Sequence, residues 1–214
     1  MSMIFGEKAR FAIEYNLLGN KHNEYGVLGE SWGELKVWAE GKDICEYSYD
    51  GEVHCYQWNL YYVLDWICDN LEYILGFDPF PLPVTGSNTL ELLESSNMFE
   101  SDHVTEYLWY SASTNWVRRH SWLANDDGTS LSRVYFSRYN DNTEIAWDNS
   151  FWNRDIAFTH PKGVYTLPIL EFKDIMANFL CSIIKELDVR CGGGAQILGW
   201  KRKMRIISEK DLME

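Results

Sequence analysis

Between Ile169 and Leu187 apolar residues recur at helical spacing: Ile169, Phe172, Ile175, Met176, Phe179, Leu180, Ile183, Ile184 and Leu187. Pro168 stands just before them, where a first helical turn tolerates a missing N–H. An apolar stripe of that width needs a core to lie on, so the segment predicts a long helix packed against other elements. Gly192, Gly193 and Gly194 then break the pattern. Beyond them Trp200, Arg202, Met204 and Ile206 alternate with Lys201, Lys203 and Arg205, which predicts an edge strand.

A second helix is predicted to open at Asn59, because Leu60, Val63, Leu64, Ile67, Leu71, Ile74 and Leu75 keep the same period and Gly76 is placed to end it. Asp78-Pro79-Phe80-Pro81-Leu82-Pro83 excludes a regular helix or a central strand, since each proline removes a donor and restricts its neighbour. It predicts an extended arm leading to a short helix over Thr89–Ser95. A further helix is predicted from Asp102, with Val104, Leu108, Ala112 and Trp116 along it, ending before an Asn125-Asp126-Asp127-Gly128 turn.

The remaining stretches alternate as strands do. Phe11–Tyr15 is one, and Glu34–Glu40 another, with Leu35, Val37 and Ala39 on one face. Asp50-Gly51 between Ile44–Tyr49 and Glu52–Trp58 is a two-residue hairpin signal. Val134–Tyr139 and Thr143–Trp147 flank Asn140-Asp141-Asn142 as a second hairpin, and Ile156–Thr159 with Val164–Thr166 predicts a third pair turning at His160–Gly163. The order is sheet, helices, sheet, helix, strand. It predicts an α+β fold with antiparallel sheets packed against two or three long helices, in one domain of residues 1–214 or two closely packed halves, 1–100 and 101–214.

Charge is distributed very unevenly. From Asp43 to Val117 there is no lysine or arginine, yet thirteen acids fall in that stretch, enough to account for the net charge of -13. An imbalance of this kind bears on partners rather than on fold, and it points to a basic protein. Nucleic acid and anionic membrane surfaces would be repelled. No apolar run approaches the roughly 20 residues of a membrane span, and the N-terminus lacks the basic-then-apolar layout of a signal peptide. Cys45, Cys55, Cys68, Cys181 and Cys191 are an odd set without a dense framework, which predicts free thiols in a reducing compartment, the cytoplasm.

Motifs for chemistry are missing. His22, His54, His103, His120 and His160 are widely spaced, with no Cys-x-x-Cys or His-Glu-x-x-His, so no metal site or cofactor is predicted. There is no Gly-x-Ser-x-Gly elbow, and the triple glycine lacks the Lys-Ser/Thr of a phosphate loop, so no catalytic residue is assigned and the chain is not expected to be an enzyme. Ten Trp and thirteen Tyr, together with many carboxylates, leave open a carbohydrate-active or sugar-binding protein. The same rings can equally form a core, or a recognition surface. Arg118-Arg119-His120 and Lys201-Arg202-Lys203 are read as charge at a helix end and as a strand face that discourages edge pairing.

Met3-Ile4-Phe5-Gly6-Glu7-Lys8-Ala9-Arg10-Phe11-Ala12-Ile13-Glu14-Tyr15, followed by Gly33-Glu34-Leu35-Lys36-Val37-Trp38-Ala39-Glu40-Gly41, resembles the opening of a family of bacterial immunity proteins. Their genes lie beside polymorphic or contact-dependent growth-inhibition toxins. The similarity covers about forty residues. A fainter one, from Asn115–His120 through Glu144–Asp148, resembles a segment found ahead of some bacterial metallopeptidase domains, without their metal-binding motif. The first resemblance implies a non-enzymatic cytoplasmic inhibitor whose partner is the cognate toxin effector domain. Many such effectors are nucleases with basic active surfaces, which an acidic inhibitor can cover. On this reading Asp65, Asp69 and Glu72, one ridge of the second helix, supply charge, and Glu46, Asp50 and Glu52 assist. Tyr61, Tyr62 or Trp66 supply aromatic anchors. An inhibitor of another basic complex, of the kind phages encode, fits the same charge.

Overall fold

The computed structural model describes residues 2–99, 106–122, 131–151 and 155–209. Three antiparallel sheets and six helices make an α+β fold among the described residues. The first sheet joins β1 (Met3–Gly6), β2 (Phe11–Leu17) and β3 (Trp32–Ala39), with β4 (Lys42–Asp43) and β7 (Tyr56–Asn59) both paired to β3. A small sheet runs β11 (Ile156–Phe158), β5 (Tyr47–Tyr49), β6 (Glu52–His54). The other runs β12 (Lys162–Pro168), β10 (Asn142–Asp148), β9 (Val134–Tyr139), β8 (Ser121–Trp122).

The predicted alternation of β3 is real: Leu35, Val37 and Ala39 are buried, and the residues between them are only half-buried. The Asp50-Gly51 hairpin is also present, with φ of 51° and 80° at the two turn residues. Positive φ at both is what a type I′ turn needs to match the strand twist. The third predicted pair is corrected. β11 and β12 do not pair with each other; β11 joins β5 and β12 joins β10. A backbone bond from Asn149 N–H to the carbonyl of Pro161 (2.6 Å) and another from Thr159 N–H to that of Glu46 (3.0 Å) draw the two segments apart onto different sheets.

The helices are α1 (Gly26–Glu30), α2 (Tyr61–Leu75), α3 (Thr89–Asn97), α4 (Glu106–His120), α5 (Ile169–Cys191) and α6 (Ala195–Glu209). α2 begins at Tyr61, not Asn59: Asn59 ends β7, and the hydroxyl of Ser31 accepts the Tyr61 N–H at 3.0 Å. α3 is fixed at its start by reciprocal bonds. The Asn88 side chain accepts from Glu91 N–H, while the Glu91 carboxylate returns to the N–H of Ser87. The predicted start of α4 at Asp102 and Val104, and the Asn125–Gly128 turn, lie outside the described residues.

The predicted C-terminal edge strand is a helix. Among the α6 side chains that are described, Ile197, Trp200 and Ile207 are buried and Met204 partly buried, a spacing of three and four rather than two. The alternation of Trp200, Arg202 and Met204 with cations holds for only half of the element. Lys201, Arg202 and Arg205 fall on its outer side instead of along a strand edge. α5 touches β1 and β2 of the first sheet and β10 and β12 of the large second one. α2 packs on β8 and β9 and against α4 and α6. One cluster of buried side chains therefore runs from Phe11 through Leu64, Phe136 and Phe179 to Trp200 and Ile207.

Candidate protein-binding surface

The acids singled out on α2 and on the β5–β6 hairpin separate into two groups once folded. Asp65, Asp69 and Glu72 do lie along α2, but α6 engages the first two. Asp65 Oδ1 accepts from Gln196 Nε2 at 2.5 Å and from Trp200 Nε1 at 2.9 Å. Asp69 is paired with Lys203. Glu72, one turn further on, remains exposed. Asp78 is likewise engaged within the molecule. Its Oδ2 receives Arg119 Nε and Nη2 at 3.1 and 2.9 Å and lies 3.1 Å from His120 Nε2, and its carbonyl accepts from Trp116 Nε1. The His120 ring is fully buried, stacked on Trp116, with Nδ1 2.6 Å from the carbonyl of Phe136. Burial pulls this imidazole below its usual range, although both of its hydrogen-bond partners favour the charged form.

The predicted aromatic anchors divide in the same way. Trp66 donates to the carbonyl of Arg118 at 2.8 Å and packs on Trp122 and Phe136, so it belongs largely to the interior. Tyr61 is half-buried against Trp200. Tyr62, packed edge-on against Tyr61, is 50% exposed.

The β5–β6 hairpin is different. Glu46, at its entry, is half-buried, and its carbonyl accepts from Thr159. Asp50 and Glu52 are exposed, and neither forms an ion pair among the described residues. Beside them Tyr49 is 52% exposed and Val53 68%. Register explains the grouping: Tyr49 pairs with Glu52, which puts ring and carboxylate side by side on one face, while Val53 opposes Ser48 on the other. Tyr47 anchors the hairpin from below by packing on His54 and Phe158. β6 forms the edge of its sheet, so the hairpin is a projecting, ring-bearing, acidic ribbon. Asp50 and Glu52 were legible in the sequence; Tyr49 and Val53 were not, although their place on either side of an Asp-Gly turn was a signal.

At the foot of the hairpin Asp43 is buried, its Oδ1 accepting from Cys45 N–H at 3.0 Å. Burial raises its pKa to about 6 despite that bond. Burial also pushes the thiols of Cys45 and Cys55 upward, and that of Cys68 up to about 12. These sulfurs stay protonated near neutral pH and are poor nucleophiles. Among the described residues no group of three or more His, Cys, Asp or Glu could hold a metal ion, and no helix is long and apolar enough to cross a membrane. Compared with known proteins, the chain matches no family model, no curated protein and no solved structure.

Proposed function

We propose that this is a binding protein that neutralises a cationic partner: an immunity protein acting in the bacterial cytoplasm on the effector domain of a toxin. The observation that carries the reading is the β5–β6 hairpin, where Asp50 and Glu52 form no ion pair among the described residues and exposed Tyr49 shares a face with Glu52 while exposed Val53 lies on the other. Aromatic and aliphatic anchors ringed by charge are the composition of a protein-binding hot spot. Acids on an exposed ribbon speed encounter with a basic surface through steering. The N-terminal resemblance supplies the class of partner. Tyr62 and Glu72 extend the set of exposed groups on α2, whereas Asp65 and Asp69 already serve the α2–α6 contact.

Of the ten Trp, Trp32, Trp116, Trp122, Trp147 and Trp200 are buried, so the rings that suggested sugar platforms in large part build the core. No observation favours that alternative.

The test is growth rescue in cells producing the toxin effector domain encoded beside this chain. The wild-type protein restores growth; Asp50→Lys combined with Glu52→Lys does not, with an unchanged thermal melt. Rescue undiminished by that double change would move the interface off the hairpin. Failure of the wild type to rescue would sink the immunity reading.

A further inference from the structure

On another part of the molecule, between the end of α3, the outer face of α4 and the start of β9, lies a cleft of about 520 Å³. That volume suits a small molecule. Its walls are unusual for a protein of net charge -13, because two of the lining side chains are guanidiniums, Arg118 and Arg133. Arg118 forms no ion pair with a carboxylate among the described residues, and Trp66 holds only its backbone carbonyl. Arg133 is held in position: its guanidinium lies 4.0 Å from the centre of the Phe151 ring, and its charge acts on Tyr135, another lining residue. Two cations facing one cavity repel each other, and an anion between them relieves that repulsion. Arginine in particular offers the planar fork that matches phosphate and carboxylate.

The rest of the lining is aromatic. Phe99 and Trp109 meet edge-on at 6.2 Å between ring centres, and Tyr110 stands beside them. Rings arranged this way offer faces to a planar group. One carboxylate, Glu106, also lines the cleft and can accept from a hydroxyl or amine at the far end of a ligand.

We infer that this cleft binds a small aromatic anion, a planar ring carrying a phosphate or carboxylate, with the anion on Arg118 and Arg133 and the ring against Trp109 and Tyr110. The site is independent of the hairpin, and its occupation does not require the proposed function. A nucleoside monophosphate and a simple aryl phosphate or carboxylate share this chemistry.

Calorimetric titration of the full chain with phenyl phosphate, benzoate and AMP, and with inorganic phosphate and adenosine as controls, decides the matter. At least one of the three ring-bearing anions should bind, each control at least about tenfold more weakly than that ligand. Arg118→Ala, at an exposed position, and Arg133→Gln should each weaken binding about tenfold or more, the loss expected for a hydrogen bond to a charged group. Trp109→Leu should weaken the ring-bearing anions and leave inorganic phosphate unchanged. A stronger response to AMP than to phenyl phosphate identifies a nucleotide site, and the reverse a general aryl-anion site; either supports the inference. No binding of any ring-bearing anion at millimolar concentration overturns it. So does binding indifferent to both arginine variants, or inorganic phosphate binding as tightly as phenyl phosphate.

Discussion

The acid ridge of α2 and the acid tip of the β5–β6 hairpin look alike as strings of residues, and the fold treats them oppositely. On α2, Asp65 and Asp69 face an incoming helix that brings Gln196, Trp200 and Lys203 to them. On the hairpin, Asp50 and Glu52 form no ion pair among the described residues. A run of like charge in sequence therefore measures what is missing nearby along the chain, not what is missing nearby in space. Lys203 lies 134 residues from its partner Asp69. Asp65 and Asp69 join α2 to α6, whereas Asp50 and Glu52 stand exposed.

Four changes sharpen or break this contrast. The largest effect belongs to Trp200, fully buried beneath α2. Trp200→Ala should lower unfolding free energy by about 3–5 kcal/mol in a urea titration, through lost packing and the loss of one of the two donors to Asp65. If it costs no more than a surface substitution, α6 is not anchored on α2 through Trp200.

Asp43 comes next. Its pKa is raised from 3.8 to about 6, so the native state holds this proton more tightly than the unfolded chain. The associated stability is full below pH 3.8 and is lost as pH rises to about 6. At neutral pH the buried carboxylate thus costs up to about 3 kcal/mol. Asp43→Asn keeps an acceptor for Cys45 N–H and should stabilise by up to that amount at pH 7.5, with the gap closing near pH 4. Equal stabilities at both pH values would show that Asp43 is solvated after all.

Asp65→Ala should cost about 1–3 kcal/mol, because it leaves the Trp200 and Gln196 donors without their acceptor. The smallest change in stability is expected at the hairpin. Asp50→Asn with Glu52→Gln should shift unfolding by less than about 0.5 kcal/mol while slowing association with the proposed partner, a toxin effector domain. Stopped-flow binding at two salt concentrations checks this; an unaltered association rate would place the steering charge elsewhere.

Local periodicity carried much of the fold. The apolar rows of α2 and α5, the alternation of β3 and the Asp50-Gly51 turn all follow from contacts within a few residues, which a reader of the chain can count. What failed was nonlocal or short. The partner of β11 is β5, more than a hundred residues earlier, and three-residue strands have no pattern to announce a register. In α6, four residues of accidental alternation outweighed the wider spacing of Ile197, Trp200, Met204 and Ile207. That single misreading hid the fate of the α2 acids, since a strand elsewhere could not be seen to hold Trp200 and Lys203 over them. The cleft was invisible for a similar reason. Arg118 and Arg133 come from different elements, and only the meeting of α4 with β9 makes them neighbours.

The turn joining α5 to α6 has φ of 67°, 94° and 151° at Gly192, Gly193 and Gly194, values that L-residues with side chains avoid. Three glycines in a row also lose the most backbone freedom when ordered. The connection itself therefore favours release, and α6 stays down only through the contacts along its length. Were it to lift, Ile197 and Trp200 would become wet at the same moment as Asp65 and Asp69 lost their donors. The burial of Ile197 and Trp200 and the pairing of Asp65 and Asp69 thus depend on one and the same helix, and hydrogen exchange along α6 would read how firmly it is held.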